Sequence, residues 1–245
     1  MRNICLTIQY DGKRYSGWQK QGNTGNTIQG KLEVLLSKMT GEDIELHGSG
    51  RTDAGVHAMA QVANFKTNTD MVCSDICSYV NKYLPEDIRV TDTREADMRF
   101  HARLNAKKKH YRYLIDTGRV KNVFTRDYAY HISEELDIES MKRAAELLIG
   151  EHDFMSFCEN RHMKKSTVRT IYDISITKNG AILELDYLGN GFLYHMVRIM
   201  TGTLIEVGLG KRKPEDIKRI FEGRKRESAG FLAPAHGLAL VEVEY

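Results

Sequence analysis

The strongest constraint on this fold is the order in which two hydrophobic periods alternate along the chain. Residues 3 to 10 place Ile4, Leu6, Ile8 and Tyr10 on one face at a spacing of two, as in a half-buried strand that Asp11-Gly12 ends. Thr27 stands where a helix cap belongs, and Ile28, Leu32, Leu35, Leu36 and Met39 follow at helical spacing to about residue 39. A short strand over Ile44 to His47 comes next, then a glycine-rich loop and a strand over Gln61 to Phe65. A helix from about Ser74 stops near Pro85, and a strand over Ile88 to Thr91 completes a β-α-β-β-α-β order.

The second half repeats the pattern. Residues 110 to 116 read as a strand, and Ile138 to Ile149 as a helix with Met141, Ala145 and Leu148 on one side. Ile171 to Thr177 and Ala181 to Tyr187 read as a hairpin around Asn179-Gly180. A helix spans about Phe192 to Val207, a shorter one opens at Pro214, and Leu238 to Val243 form a last strand. Two such units predict an α+β fold of two ferredoxin-like halves, residues 1–105 and 106–245, joined into an antiparallel sheet with a central cleft. Only the element order suggests the duplication; no sequence repeat accompanies it.

Composition narrows the function classes. Of 245 residues 41% are apolar, enough for a sizeable core, and three prolines leave no disordered linker. No apolar h-region and no long uncharged apolar run is visible, so the chain is expected to be soluble, without a membrane span, and cytoplasmic. Cys5, Cys73, Cys77 and Cys158 form no CxxC pair, which argues against a disulfide framework, a zinc site or any other metal. Net charge is only +3, but cations cluster at Lys107-Lys108-Lys109-His110-Tyr111-Arg112, Lys164-Lys165, Lys211-Arg212-Lys213 and Arg224-Lys225-Arg226. One such run is ordinarily a solvated face; four on a chain this size favour a polyanionic partner.

The segment richest in chemistry is Gly48-Ser49-Gly50-Arg51-Thr52-Asp53-Ala54-Gly55-Val56-His57-Ala58. Its glycines allow tight turning and close approach of a ligand, and Arg51 beside Asp53 favours an ionised carboxylate, suited to act as nucleophile or general base. By residue types alone, the plainer reading is a surface turn in which Asp and Gly do ordinary turn work. The loop is neither GxGxxG nor GxxxxGK[ST], and GxSxG and HExxH are absent from the chain. His57 and His195, taken singly, read as satisfied structural groups.

Gly48 to Ala58 closely resembles the signature of the tRNA pseudouridine synthase A family, and the likeness continues in order along the chain. It covers Tyr10-Asp11-Gly12, Gly17-Trp18-Gln19-Lys20-Gln21, Leu84-Pro85-Glu86-Asp87-Ile88, Phe100-His101-Ala102-Arg103 and His110-Tyr111-Arg112-Tyr113. His152-Asp153-Phe154, Phe192-Leu193-Tyr194-His195-Met196-Val197-Arg198 and Ala233-Pro234-Ala235-His236-Gly237-Leu238 extend it. Ser49, Trp18 and Phe231-Leu232 depart from the family's usual residues without touching those assigned to chemistry.

The resemblance implies the pseudouridine synthase fold and isomerisation of uridine to pseudouridine at positions 38 to 40 (tRNA's own numbering) of the anticodon stem-loop, after the base has been flipped out. It implies Asp53 as the catalytic nucleophile and Tyr111 as a substrate contact, with Tyr113 packing. Arg51 is expected to fill the space of the displaced base or to contact a phosphate, and Arg198 to pair with Asp53. tRNA is the implied partner, a homodimer the implied assembly, and no cofactor or metal is implied. Two other readings fit the residues: a non-catalytic RNA-binding protein on the same scaffold, for which no RNP signature is convincing, and a small-molecule hydrolase using Asp53.

Overall fold

The alternating stretch at the N-terminus becomes strand β1 (Arg2–Tyr10) in the computed structural model, which describes residues 1–159 and 166–245. It is followed by α1 (Ile28–Thr40), β2 (His47–Gly48), β3 (His57–Thr67), α2 (Cys73–Tyr83), β4 (Ile88–Ala96) and β5 (Lys108–Asp116). Then come β6 (Tyr130–His131), α3 (Ile138–Glu146), β7 (Gly150–Asp153), β8 (Val168–Asn179) and β9 (Ile182–Gly189). The chain closes with α4 (Met196–Gly208), α5 (Asp216–Gly223) and β10 (Leu238–Glu244), with 3-10 turns at Phe154–Phe157, Arg226–Ser228 and Ala235–Gly237. The basic pair Lys164-Lys165 lies outside the described residues.

The chain divides into one unit of Met1–Lys107 with Ala239–Tyr245 and another of Lys108–Leu238. In the first, strands run in the order β4-β1-β3-β10, with β2 on β3. β1 pairs antiparallel with both neighbours, while β10 joins β3 in parallel through Ala239 opposite His57 and Leu240 opposite Ala58. Ile4, Leu6 and Ile8 of β1, Ile28, Leu32 and Leu36 of α1, and Ile76 and Val80 of α2 are all closed to solvent in this unit's core. Each such side chain contributes about 1.5–3 kcal/mol by leaving water. The other face of β1 is covered as well. Asn3 donates to the carbonyls of Asp97 (2.7 Å) and Phe100 (2.9 Å), and Asn64 accepts from Ala102 N–H at 2.8 Å, so residues 97–105 lie over a strand expected to be half-exposed.

Local signals set several boundaries. Thr27 caps α1 by accepting from Gly30 N–H at 3.2 Å. α2 ends at Tyr83, just before Leu84-Pro85. The strand expected over Ile44 to His47 is reduced to His47–Gly48. Side chains of α1 satisfy the backbone before it: Ile44 N–H donates to Ser37 Oγ (3.0 Å) and Leu46 N–H to Glu33 Oε1 (3.1 Å), so no strand partner is needed.

In the second unit the order is β5-β9-β8-β7, all antiparallel, with β6 beside β5 in parallel. Met141, Ala144, Leu148, Leu183, Leu185, Tyr187, Met200 and Leu204 are all closed to solvent in its core. Asn179 pairs with Ile182, so the hairpin turns through Gly180-Ala181, one residue later than expected, with Gly180 at φ 62°. α4 begins at Met196 rather than Phe192, because His195 takes a left-handed conformation (φ 64°) that a helix cannot continue through. The two-residue β6 and the polar β7, Gly150-Glu151-His152-Asp153, carry no apolar alternation and were not legible in the sequence. The class is α+β, as expected.

Candidate active site

The Asp53 loop lies between β2 and β3 of the first unit and is held from several sides. Ser49 N–H donates to Val62 O (2.7 Å), and Gln61 Nε2 donates to Gly50 O (3.0 Å). The buried Tyr10 and Thr52 hydroxyls share a hydrogen bond of 2.8 Å. Trp18 N–H donates to Thr52 O (3.1 Å), and Val56 N–H closes a turn onto Asp53 O (3.2 Å) with Gly55 at φ 80°. The residue before the carboxylate is therefore gripped by its side chain and by its carbonyl.

Two glycines outside the loop make this fit possible. A Cβ on Gly12 would lie 1.9 Å from Val56 O, and one on Gly17, at φ 91°, would lie 2.6 Å from Thr52 O. Both contacts are with backbone, which cannot swing aside. Gly12 N–H also donates to Nδ1 of the buried His57 at 3.1 Å, a structural task for that imidazole. The segments Tyr10-Asp11-Gly12 and Gly17-Trp18-Gln19 thus converge on the loop although they lie some forty residues away in sequence. Asp53 itself is half-buried, while Arg51 is exposed and donates through Nε to Gln19 Oε1 at 3.1 Å. Burial drives the Tyr10 hydroxyl well above the usual tyrosine range, so it stays protonated beneath the loop.

Tyr10, Thr52, Gln61 and Ser49 were given no role in supporting the loop by the sequence reading. The available signal was Tyr10 itself: it shares its strand face with Ile4, Leu6 and Ile8, and a hydroxyl in such a core requires a partner.

The second unit carries Tyr111 and Arg198. Tyr111 is buried on β5 opposite Tyr187, and its ring meets Phe192 edge-on at 5.2 Å. Tyr113, two residues on, is fully buried and donates to Pro234 O at 2.8 Å; burial raises its pKa far above the ordinary value, consistent with a packing role. Arg198, in the first turn of α4, is half-buried, donates through Nε to Ala233 O (2.7 Å) and accepts from Ala233 N–H at its own carbonyl (3.2 Å). It is tied to the Ala233-Pro234 motif and is not a loose surface cation. His195 faces Glu159 and stacks on Tyr194 with ring centroids 3.7 Å apart. Asp53 and Arg51 thus belong to one unit, and Tyr111 and Arg198 to the other.

The basic runs divide by residue type. Arg112 clasps Asp186 with two hydrogen bonds (2.9 and 3.3 Å), and His110 contacts the same carboxylate at 2.6 Å. Arg212 pairs with Glu206, Arg224 with Asp153 at 2.6 Å, and Arg226 donates to Gly230 O at 2.8 Å. Much of this arginine is committed to architecture, whereas Lys107, Lys211, Lys213 and Lys225 are exposed to solvent. Among the described residues no group of His, Cys, Asp and Glu is placed to hold a metal, and no helix is long and apolar enough to cross a membrane. All four cysteines are free; Cys5 and Cys158 are buried, whereas Cys73 and Cys77 are half-exposed.

A family model described as tRNA pseudouridine synthase matches residues 6–105 and 144–245. A tRNA pseudouridine synthase A of Bacillus sp. (strain KSM-64) is 49% identical over 245 residues, covering 100% of both chains. Its counterpart in Acetivibrio thermocellus is 48% identical, and tRNA pseudouridine synthase A 1 of Clostridium tetani 49%, each again over the full length of both chains. Among solved structures, a chain of a Cbf5-Nop10-Gar1 complex aligns with 97% of this chain and 48% of its own, at 13% identity and a TM-score of 0.36, a likeness too loose to carry an argument.

Proposed function

Because the chain belongs to the tRNA pseudouridine synthase family, and so to the isomerases, we propose that it converts uridine to pseudouridine at positions 38, 39 and 40 of the tRNA anticodon stem-loop with Asp53 as its catalytic nucleophile. The observation that carries this reading is the construction of the Asp53 loop. Two glycine contacts with backbone and a buried hydroxyl pair hold one solvent-accessible carboxylate at a fixed place. An ordinary surface turn has no use for such support.

The reaction breaks the bond from ribose C1′ to uracil N1, turns the base, joins C1′ to C5 and releases the C5 hydrogen to solvent as a proton, while N1 gains one. Atoms and electrons balance within the nucleotide, so no redox partner is required. A carboxylate serves by adding to C6, by adding to C1′ or by taking a proton from the sugar; each route needs Asp53, and an amide fulfils none of them. Tyr111 contacts the target base, Arg51 takes the space it vacates or a phosphate, and Arg198 is the supporting cation of the site.

A uridine within a stem must leave its stack first, at a cost of about a few kcal/mol. Exposed lysines such as Lys107 hold phosphates and so position the RNA without reading its sequence, which suits a substrate whose neighbouring bases vary. The working form in this reading is a cytoplasmic homodimer.

Tritium release from tRNA labelled at uracil C5 tests the chemistry. Asp53→Asn is expected to lower release by at least about a hundredfold while tRNA binding persists. Unchanged release would leave only an RNA-binding protein. Mapping pseudouridine in tRNA from cells lacking the protein tests the positions: loss at 38 to 40 is expected, and loss elsewhere alone would refute that assignment.

A further inference from the structure

The loop between β5 and β6 has no part in the site described above, yet it is built with equal care. Asp116, 2% exposed at the end of β5, accepts from Gly118 N–H (2.9 Å) and Asn122 N–H (3.0 Å) and faces His131 Nδ1 at 3.3 Å. Asn122 Oδ1 in turn accepts from Phe124 N–H at 2.9 Å, and Tyr128 and Ala129 N–H both donate to Thr125 O at 2.9 Å. This hydrogen-bonded frame turns apolar side chains outward. Phe124 is 88% exposed and Val120 78%, with Val123 and Tyr128 also in solvent. Exposed apolar residues scattered singly are ordinary; several on one ordered loop mark a contact surface.

The charges on the loop select the partner. Arg119 and Lys121 flank Val120, both are exposed, and neither has a partner among the described residues; Arg126 lies 3.8 Å from Asp127. A two-fold contact with a second copy of this chain would bring the same patch to both sides and set these cations against themselves. Aromatic rings interleaved with unpaired cations suit RNA instead, in which a base offers a π-face and phosphates lie on either side.

We propose that residues 117–128 form an RNA-docking loop, in which Phe124 stacks on an unpaired base of the tRNA substrate and Arg119 and Lys121 meet the adjoining phosphates. This rests on the tRNA reading above and adds to it a contact outside the catalytic residues. Because Phe124 touches little of the protein, its replacement leaves the fold intact.

Binding of unmodified tRNA to the full-length protein, measured by fluorescence anisotropy across a salt series with light scattering for mass, tests the proposal. Phe124→Ala is expected to weaken binding about five- to fiftyfold, with tritium release at saturating tRNA unchanged, and Phe124→Trp to restore it. The double variant Arg119→Ala, Lys121→Ala is expected to flatten the salt dependence by about 1.5 in slope. Wild-type affinity for Phe124→Ala overturns the proposal, as does a fall in its assembled mass, which would assign the loop to a contact between copies. Failure of the wild-type protein to bind tRNA would overturn the tRNA reading too, so the two failures are distinguishable.

Discussion

The Asp53 loop and the loop at 117–128 face the same difficulty, holding an irregular backbone still while offering a side chain to solvent, and they meet it differently. Beneath Asp53 the supports are mostly neutral: the Tyr10 and Thr52 hydroxyls, the Gln61 amide and backbone pressed against Gly12 and Gly17, with the buried His57 imidazole bonded to Gly12 N–H. In the loop that carries Phe124 one buried carboxylate, Asp116, collects N–H groups from Gly118 and Asn122, and the Asn122 amide in turn holds Phe124 N–H. Hydroxyl and amide supports do not titrate near neutrality. A charged acceptor makes stronger hydrogen bonds, roughly twice as strong as neutral ones, but depends on its ionisation. The loop proposed for chemistry rests mainly on neutral groups, and the loop proposed for docking on a carboxylate.

The largest expected effect comes from breaking the frame of the Asp53 loop at its tightest point. Gly12→Ala places a Cβ where Val56 O already lies, so the loop must shift. We expect tritium release to fall about a hundredfold with tRNA affinity and circular dichroism preserved, as misplacement of about 1 Å commonly costs that much. Full activity would mean that the close packing at Gly12 does nothing for the carboxylate.

A smaller effect should follow from removing one hydroxyl of the buried pair. Tyr10→Phe strands the Thr52 hydroxyl in a dry site, and about 1–3 kcal/mol of stability should be lost in urea unfolding. Thr52→Ser, which keeps the hydrogen bond, should retain most of it. Equal losses in the two variants would show that shape, and not the hydrogen bond, supports the loop.

The mildest test is pH, and it separates the two frames directly. Burial opposes ionisation of Asp116, but the N–H groups of Asn122 and Gly118 and the neighbouring His131 outweigh it, and its carboxyl lies below the ordinary 3.8. A lowered folded pKa stabilises fully above the unfolded value and loses that contribution as pH falls through the folded one. Acidification below about pH 4 should therefore speed hydrogen exchange at Gly118 and Asn122 before it does so at Ser49 and Val56. Asp116→Asn should reproduce that fraying at pH 7 and weaken tRNA binding only a few-fold. Simultaneous opening of both loops would erase the contrast.

The candidate site was legible only through resemblance. Residue types alone read the Asp53 loop as a surface turn, and Asp53, Tyr111 and Arg198 were assigned by the family motifs around them. The arginines of the basic runs were harder to read, because a run of cations does not reveal that Arg112 is clasped by Asp186 or Arg212 by Glu206. Nor does it show that an apolar ring at Phe124, absent from every basic run, stands in solvent.

What the sequence determined by itself was local. The two-residue and helical periods, the Thr27 cap, the stop before Pro85 and the hairpin near Gly180 each depend on neighbours a few residues away, whose sterics and hydrogen bonds act whatever the rest of the chain does. Only the tertiary structure decided that Ala239–Leu240 would lie parallel to His57–Ala58, that Tyr10 would meet Thr52 and that residues 97–105 would cover β1. Backbone hydrogen bonds carry no residue code and a buried hydroxyl accepts any well-placed partner, so such pairings are chosen by the packing of the whole domain and not by any stretch of its sequence.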